Sequence, residues 1–264
     1  MKNFALLLIA LLASSAGAET FAEKMVLATY KLYNAKSTAT GFVVEVEEGR
    51  HFAVTSAHVF ERMEGEKAIL VLRKKMPDGT YERHDHEIDV RDGENPLWVK
   101  HADQDVAVLE LDVDLPDGVE LRCVQREALA TEAAALESGL GVGADVLICG
   151  YPTRFEVNGA GFPVTRRGCV ASFPVVPVSK HPTMTIDFAT FEGDSGGPVF
   201  LKKKGGEGPL VVGVVVSQFR HTEKFETFTG SHTVNHPLWL STVVQATSIL
   251  ETLEAAEEAR GGQE

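Results

Sequence analysis

Cysteine is scarce in this sequence, which contains Cys123, Cys149 and Cys169 and no others. An odd number leaves at least one thiol unpaired, so the chain can form at most one internal disulfide. No C-x-x-C pair is present, and we therefore expect no zinc or other metal site. Cys149 and Cys169 flank a predicted hairpin. Whether they are bridged stays open, because the sequence does not fix the direction of their Cβ vectors.

Basic residues are also in deficit, with 25 lysines and arginines against 38 aspartates and glutamates, which gives a net charge of −13. A negatively charged surface repels phosphate backbones and anionic membranes. The composition therefore disfavours a nucleic-acid-binding function, and we expect no nucleic-acid partner.

Long apolar runs are absent beyond the first residues. Lys2 precedes a short apolar run at 4–12, and an A-x-A triplet follows at 16–18. The run is too short to span a bilayer, and the order of charge, apolar run and small residues is typical of a cleaved signal peptide. We therefore predict a signal peptide at 1–18 and a secreted or periplasmic protein with no membrane anchor after cleavage.

From Met25 onward, short β-rich runs alternate with turn residues, which is typical of an all-β protein. The predicted strands lie at 26–30, 41–46, 52–55, 68–73, 81–90, 105–111, 145–149, 163–173, 183–188, 198–201 and 210–217. An Ala- and Glu-rich stretch at 127–136 predicts a short helix between two β units, and one apolar stripe over 240–260 predicts a final helix. We assign the first β unit to 19–120, the second to 121–240, and the helix and tail to 241–264.

The strongest chemical signal is the sequence GDSGGP at 193–198. A serine hydroxyl becomes an effective nucleophile only when a base removes its proton and donors stabilise the oxyanion that forms. Glycines around Ser195 allow a tight backbone turn, so the amides of Gly193 and Ser195 can point at one oxygen. We therefore assign Ser195 as the candidate nucleophile and these two amides as the candidate oxyanion hole.

Two further motifs supply the other groups that such a serine needs. The sequence VTSAH at 54–58 ends a β run on His58, whose imidazole can accept and return a proton near neutral pH. The sequence DVAVL at 105–109 begins a buried strand with Asp105, which can orient an imidazole by accepting its N–H. Asp103 is a competitor, and we favour Asp105 because it directly precedes the apolar run.

Taken together, the three motifs resemble those of the trypsin-like (chymotrypsin-fold) serine peptidases, and especially their bacterial exported members. The resemblance implies two six-stranded antiparallel β-barrels with a cleft between them and a C-terminal helix. His58 and Asp105 would belong to the first barrel, and Ser195 with the oxyanion hole to the second. The resemblance also implies a serine endopeptidase that hydrolyses protein or peptide substrates through an acyl-enzyme and needs no cofactor.

The sequence departs from this family at the acid beside the serine. Activated animal members pair that acid with a newly formed N-terminal amine, but the predicted mature chain here begins at Glu19 and has no comparable activation site. Asp194 must therefore find another partner or stay solvated. We expect an enzyme that needs no zymogen cleavage.

Substrate preference rests on positions implied by the family. The base of the specificity pocket, six residues before the serine, corresponds to Ala189, which cannot supply the charge that selects Arg or Lys. On the wall strand, Val216 or Ser217 would face the substrate. Ser217 could also donate to Asp105, and Phe219 would narrow the pocket. We expect a small or medium uncharged side chain before the cleaved bond.

Several histidines could also bear chemistry. His84 and His86 lie at i and i+2 of a predicted strand, and we interpret them as a solvated strand face rather than a metal site. His221, His232 and His236 lie near the expected pocket, where a histidine could favour acidic substrates. Since surface histidines are common, we prefer the simpler interpretation of these three as well.

A non-enzymatic binding protein and an esterase are the two alternatives to the peptidase. A non-enzymatic binding protein on the same fold stays open, although such relatives usually lack a triad member and this chain has all three. An esterase would carry Gly-x-Ser-x-Gly at a strand-to-helix turn, with its histidine after the serine. Here the candidate histidine precedes the serine, which argues against the esterase.

Overall fold

The computed structural model describes residues 18–47, 49–206, 208–228 and 230–261. Nearly all of the predicted signal peptide therefore lies outside the described residues. The strands are β1 (Thr29–Tyr33), β2 (Thr38–Glu47), β3 (Arg50–Thr55), β4 (Lys67–Lys75), β5 (Tyr81–Asp89), β6 (Arg91–Asp92), β7 (Asn95–Pro96), β8 (Trp98–Lys100), β9 (Ala107–Leu111), β10 (Val119–Glu120), β11 (Val124–Gln125), β12 (Asp145–Gly150), β13 (Val164–Val170), β14 (Thr183–Asp187), β15 (Pro198–Lys202), β16 (Pro209–Thr227) and β17 (Gly230–Gln245). The α-helices are α1 (Phe21–Leu27), α2 (Ala57–Arg62), α3 (Glu132–Glu137) and α4 (Ala246–Gly261).

The first half of the chain forms a nine-stranded sheet in the order β10-β4-β1-β2-β3-β9-β8, with β5 paired to β4 and β11 paired to β2. All these pairs are antiparallel except β11 with β2. The predicted barrel of six strands is therefore shown only in part for this half, because its sheet is not closed. Its outer strand β5 is charged and largely exposed, so it has no apolar face with which to close the barrel.

The second half forms a closed barrel of six strands in the order β12-β13-β14-β17-β16-β15, as predicted. Buried branched residues of these strands fill its interior, for example Ile148, Ile186, Val199, Val214 and Val243. Closure leaves no unpaired strand edge within the barrel. The all-β fold with one such barrel and a C-terminal helix is therefore confirmed.

Strands β16 and β17 continue far beyond the barrel as a hairpin that the sequence patterns did not predict. They pair from Arg220 with Pro237 to Thr227 with Gly230. Residues 219–227 and 230–239 are exposed on both faces. A strand exposed on both faces lacks the alternation of apolar and polar residues by which sequence analysis detects strands.

Two helices differ from their predicted positions. The N-terminal α1 occupies part of the predicted strand at 26–30, and Thr20 and Glu23 form a capping box at its start. The final α4 begins only at Ala246, because Val243 and Val244 extend β17 and pair with β16. Among the described residues, no helix is both long and apolar enough to cross a membrane.

Candidate active site

His58 enters the cleft between the two halves just after strand β3. Two hydroxyl groups fix the end of the strand: Thr55 donates to the Thr40 carbonyl at 2.8 Å, and Ser56 donates to the Val215 carbonyl at 2.9 Å. The short helix α2 then begins at Ala57 and presents His58 from its first turn. Because Val215 belongs to the barrel, the Ser56 bond ties the histidine segment directly to the half that carries the serine.

Asp105 holds His58 through two hydrogen bonds. One carboxylate oxygen lies 2.6 Å from the imidazole Nδ1, and the other accepts the backbone N–H of His58 at 2.9 Å. Burial alone would raise the pKa of Asp105, but the bonds from His58 outweigh it and hold that pKa below its ordinary value. Asp103 is exposed and lies near His101 instead. The structure therefore brings His58 together with Asp105 and not with Asp103.

The loop that carries Ser195 can be built only with glycines at its neighbouring positions. Gly193 and Gly196 have φ of +98° and +86°, which disfavours any residue with a side chain. A Cβ at Gly193 would lie 2.2 Å from the Tyr151 carbonyl oxygen, and one at Gly196 would lie 2.0 Å from the Thr40 carbonyl oxygen. The glycines of the motif therefore let the loop pack directly against backbone from both halves.

Two backbone amides beside Ser195 lack acceptors. The carbonyl of Glu192 accepts from the Thr153 amide at 2.6 Å, so the N–H of Gly193, in the same peptide plane, points the opposite way. Among the residues that the structure describes, neither the N–H of Gly193 nor that of Ser195 has a partner. Gly193 and Ser195 both line the cleft. These two amides can therefore donate to a negatively charged oxygen there.

The peptide that presents Gly193 is held by a strained segment. Thr153 has φ of +50°, a rare conformation for a β-branched residue, and Arg154 follows with φ of +68°. The Thr153 amide is the donor to the Glu192 carbonyl. The strained backbone at Thr153 therefore helps to fix the orientation of the Gly193 amide.

Asp194 is fully buried and is paired with Arg166 of β13. Its other carboxylate oxygen accepts the Phe191 amide at 2.8 Å. Burial raises the pKa of Asp194 above its ordinary value, although the guanidinium of Arg166 acts in the opposite direction. The absence of a side chain at Gly150 makes room for this carboxylate, because a Cβ there would lie 2.6 Å from its Oδ1. Arg166 thus supplies the partner that the sequence did not identify.

The cleft has a volume of about 720 Å³, and its lining includes His58, Asp105, Gly193 and Ser195. Of the residues expected to contact substrate, Ser217 lines the cleft, but it is exposed and makes no hydrogen bond to Asp105 among the described contacts. The other two expected positions, Ala189 and Phe219, lie outside the lining.

Ala189 and Phe219 lie outside the cleft lining for different local reasons. The Ala189 carbonyl accepts from Arg166 at 3.1 Å, so this residue belongs to the support of Asp194. Phe219 already lies on the exposed hairpin. The three histidines considered for the pocket, His221, His232 and His236, also lie on that hairpin and not in the cleft lining.

Gln218 is a cleft residue that the sequence patterns did not single out. With its amide nitrogen toward the Thr190 carbonyl it donates at 3.1 Å, and its oxygen then accepts from Arg220 at 2.7 Å. The side chain therefore links the wall strand to Thr190, which also lines the cleft.

The three cysteines are free thiols. Cys149 lies opposite Thr165 in the β12–β13 pair, whereas Cys169 lies opposite Asp145 at the other end of the same pair. The disulfide left open by the sequence therefore does not form.

Comparison with known proteins identifies the family. The model of the trypsin-like peptidase domain matches residues 39–214, which include His58, Asp105 and Ser195. The chain belongs to the trypsin-like peptidase domain family. No curated protein matches this trypsin-like peptidase significantly.

Two solved structures are similar to the trypsin-like peptidase described here. An inactive form of the Rv3671c protease is 20% identical, with 88% of this chain and 90% of that chain covered and a TM-score of 0.46. An inactive serine-to-alanine mutant of Rv3671c from M. tuberculosis H37Rv is 19% identical, with 89% and 88% covered and a TM-score of 0.45.

Proposed function

We propose that this peptidase is a serine endopeptidase that uses Ser195 as nucleophile, His58 as general base and Asp105 to orient the histidine. The observation that carries the proposal is the double hydrogen bond between His58 and Asp105, formed at a cleft that Ser195 also lines. Since Nδ1 of His58 is engaged by Asp105, Nε2 is the nitrogen available to take the serine proton.

In the proposed mechanism, the Ser195 oxygen attacks the carbonyl carbon of the scissile peptide while His58 accepts the serine proton. The carbonyl oxygen becomes an oxyanion, which the amides of Gly193 and Ser195 stabilise. His58 then returns the proton to the leaving amine, which departs and leaves an acyl-enzyme. A water molecule, deprotonated by His58, hydrolyses that ester and regenerates the serine.

The serine and the histidine must still come into hydrogen-bonding contact. Within the part of the chain that the structure describes, the Ser195 hydroxyl donates to no other residue. In enzymes without substrate this bond is often long and tightens when substrate binds.

We propose that the enzyme is active without zymogen cleavage. The buried pair of Arg166 with Asp194 supports this assignment, because the acid beside the serine is neutralised from within the barrel. No new N-terminal amine is then needed to order the loop that carries Gly193. We also propose that the enzyme is exported. The signal-peptide pattern at 1–18 supports a secreted or periplasmic enzyme with a mature start at Glu19.

We further propose a preference for small or medium, uncharged side chains before the cleaved bond. Gln218 and Thr190 support it, because both line the cleft together with Ser195 and the Gln218 amide donates to the Thr190 carbonyl. On the same side, the Phe191 ring packs against Trp239, with ring centroids 5.9 Å apart. The natural substrates are then proteins or peptides that present such residues in extended segments.

Profiling on a peptide library tests the function and the preference together. The wild-type chain should cleave internal bonds after small residues such as Ala, Ser or Val. Ser195→Ala should abolish cleavage, whereas Ser217→Ala, at a neighbouring cleft position, should retain it. Binding of peptides without any cleavage by the folded wild-type chain would instead identify a non-enzymatic binding protein.

A further inference from the structure

Three side chains of different chemistry converge on the first sheet, away from the cleft: Glu45, His51 and Cys123. Their carboxylate oxygen, imidazole nitrogen and thiol sulfur all lie within 4.8 Å of one another. We propose that these residues bind a zinc ion, as a structural site independent of the catalytic machinery. This inference does not rest on the proposed function.

The strand register brings the three residues to one face. Glu45 of β2 pairs directly with His51 of β3 on one side and with Gln125 of β11 on the other. Cys123 lies two residues before Gln125, and positions two apart in an extended chain share a face. The convergence therefore follows from backbone pairing across three segments and does not depend on one side-chain rotamer.

The distances leave room for an ion between the groups. Nε2 of His51 lies 3.8 Å from Oε1 of Glu45, and Sγ of Cys123 lies 3.8 Å from Oε2 of Glu45. An imidazole-to-carboxylate distance of this length is too long for a hydrogen bond. Tetrahedral zinc, with bonds of about 2.0 to 2.3 Å, separates its ligand atoms by roughly 3.3 to 3.5 Å. The two contacts use different oxygens of Glu45, and the three candidate ligand atoms lie within 4.8 Å of one another, so the side chains would move inward by up to about 1.5 Å to complete the site.

The donor set favours zinc over the other common metals. Sulfur, nitrogen and oxygen together suit Zn²⁺, whereas Ca²⁺ and Mg²⁺ prefer oxygen ligands alone. Three protein ligands leave one position for water, and all three side chains are only partly buried, so water can reach it. The Gln125 amide and the Gly49 N–H both donate to Glu45 and fix the orientation of its carboxylate.

The position of the site indicates a structural role. Glu45 and His51 lie near the β2–β3 turn, whereas the opposite ends of the same strands approach the cleft: Thr40 of β2 donates to the Gly193 carbonyl, and His58, just after β3, lines the cleft. Cys123 lies in the connection between β10 and β11, which pair with β4 and β2 of the first sheet. A zinc ion would join this segment to β2 and β3. The absence of a C-x-x-C pair does not exclude this site, because its three ligands come from three separate segments.

The test uses the full chain without an affinity tag, stripped of metal with a chelator and then titrated with Zn²⁺. We expect binding of one ion with a Kd at or below about 1 µM, and a rise in Tm of about 5 to 10 °C at a hundredfold excess over Kd. Co²⁺ in place of Zn²⁺ should give the absorption band of a cobalt–thiolate bond. Peptide hydrolysis, if present, should not change.

Matched variants make the assignment specific. Cys123→Ser and His51→Gln should each weaken zinc binding by at least about a hundredfold, and Cys169→Ser, at another partly buried cysteine, should leave it unchanged. No stoichiometric binding at about 10 µM zinc, no thiolate band with Co²⁺, or loss of binding in His84→Gln instead would each overturn the proposal. Because the cobalt spectrum is measured on the wild-type chain, a variant that fails to fold does not prevent the test.

Discussion

Arg166 and Asp194 form an ion pair inside the second barrel, directly behind the loop that carries Ser195. Asp194 is fully buried, and Arg166 is held in place by the Ala189 carbonyl and by the Phe188 ring, 4.5 Å from its guanidinium carbon. A charged carboxylate in such a place is stable only with a partner. The order of the catalytic loop therefore depends on a residue of β13 that is almost thirty positions away in sequence.

Removing this arginine should impair both stability and activity. Arg166→Met leaves Asp194 buried without its cation, and we expect a loss of about 3 to 5 kcal/mol in unfolding free energy. Thermal unfolding and peptide hydrolysis would both report the change. The matched control is Arg167→Met, whose exposed pair with Asp145 should contribute little. Equal effects of the two substitutions would show that the buried pair has no special role.

Replacing Asp105 should separate catalysis from folding. In Asp105→Asn the side chain keeps its shape but no longer favours the imidazole tautomer and imidazolium that catalysis needs, so kcat should fall by about four orders of magnitude. Asp103→Asn, at the exposed neighbouring acid, should leave kcat unchanged. Steady-state kinetics on one peptide substrate decides the matter. A large loss in the Asp103 variant would reverse the assignment.

Shortening Gln218 should widen substrate preference. Gln218→Gly removes the hydrogen bond to the Thr190 carbonyl and a side chain that lines the cleft. We expect kcat/KM for peptides with Leu or Phe before the cleaved bond to rise at least about tenfold relative to those with Ala. Phe219→Ala, outside the cleft lining, should leave the ratio as in the wild type. An unchanged ratio in the glycine variant would assign the preference to other residues.

Acid should weaken a second ionic cluster, which joins the two halves of the molecule. Glu156 accepts from Lys31 at 2.6 Å and from Arg83 at 2.7 Å. Burial raises the pKa of Glu156, but the two cations outweigh it, so the pKa lies below its ordinary value. A lowered folded pKa contributes stability that is present above the unfolded value, about 4.3, and is lost as pH falls through the folded pKa.

The corresponding variant is Glu156→Gln. Its unfolding free energy at neutral pH should be lower than that of the wild type, and the difference should shrink as pH falls below about 4.3. Chemical denaturation at several pH values measures this. A constant difference across the acid range would mean that the charge of Glu156 contributes no pH-dependent stability.

The sequence indicates the tight conformation of the loop around Ser195, because the need for glycine there arises from local contacts. Gly193, Gly196 and Gly197 each face backbone atoms too close for a Cβ, so the motif is dictated by short-range sterics. His58 and Asp105 are also found from local patterns, since each lies next to a buried strand. The pairing of β3 with β9 then brings Thr55 opposite Ala107 and so delivers the two residues to the same place.

The parts that the sequence missed depend on tertiary contacts or on exposure. Arg166 lies in its strand beside a second arginine, Arg167, and nothing nearby in sequence indicates its buried partner. Gln218 and the hairpin beyond it are polar or exposed on both faces, so they give no periodic signal. The open first sheet follows from the polar strand β5, which sequence patterns identify as a strand without showing that it is an edge.

Reaction of the folded chain with a fluorophosphonate probe tests whether His58 activates Ser195 as a nucleophile. The probe is attacked only by a serine whose proton a neighbouring base removes, and mass spectrometry of the digested product locates the modified residue. We expect one stoichiometric label on Ser195, which is lost in His58→Ala. A folded wild-type chain without a label on Ser195, or with a label that persists in His58→Ala, would contradict this expectation.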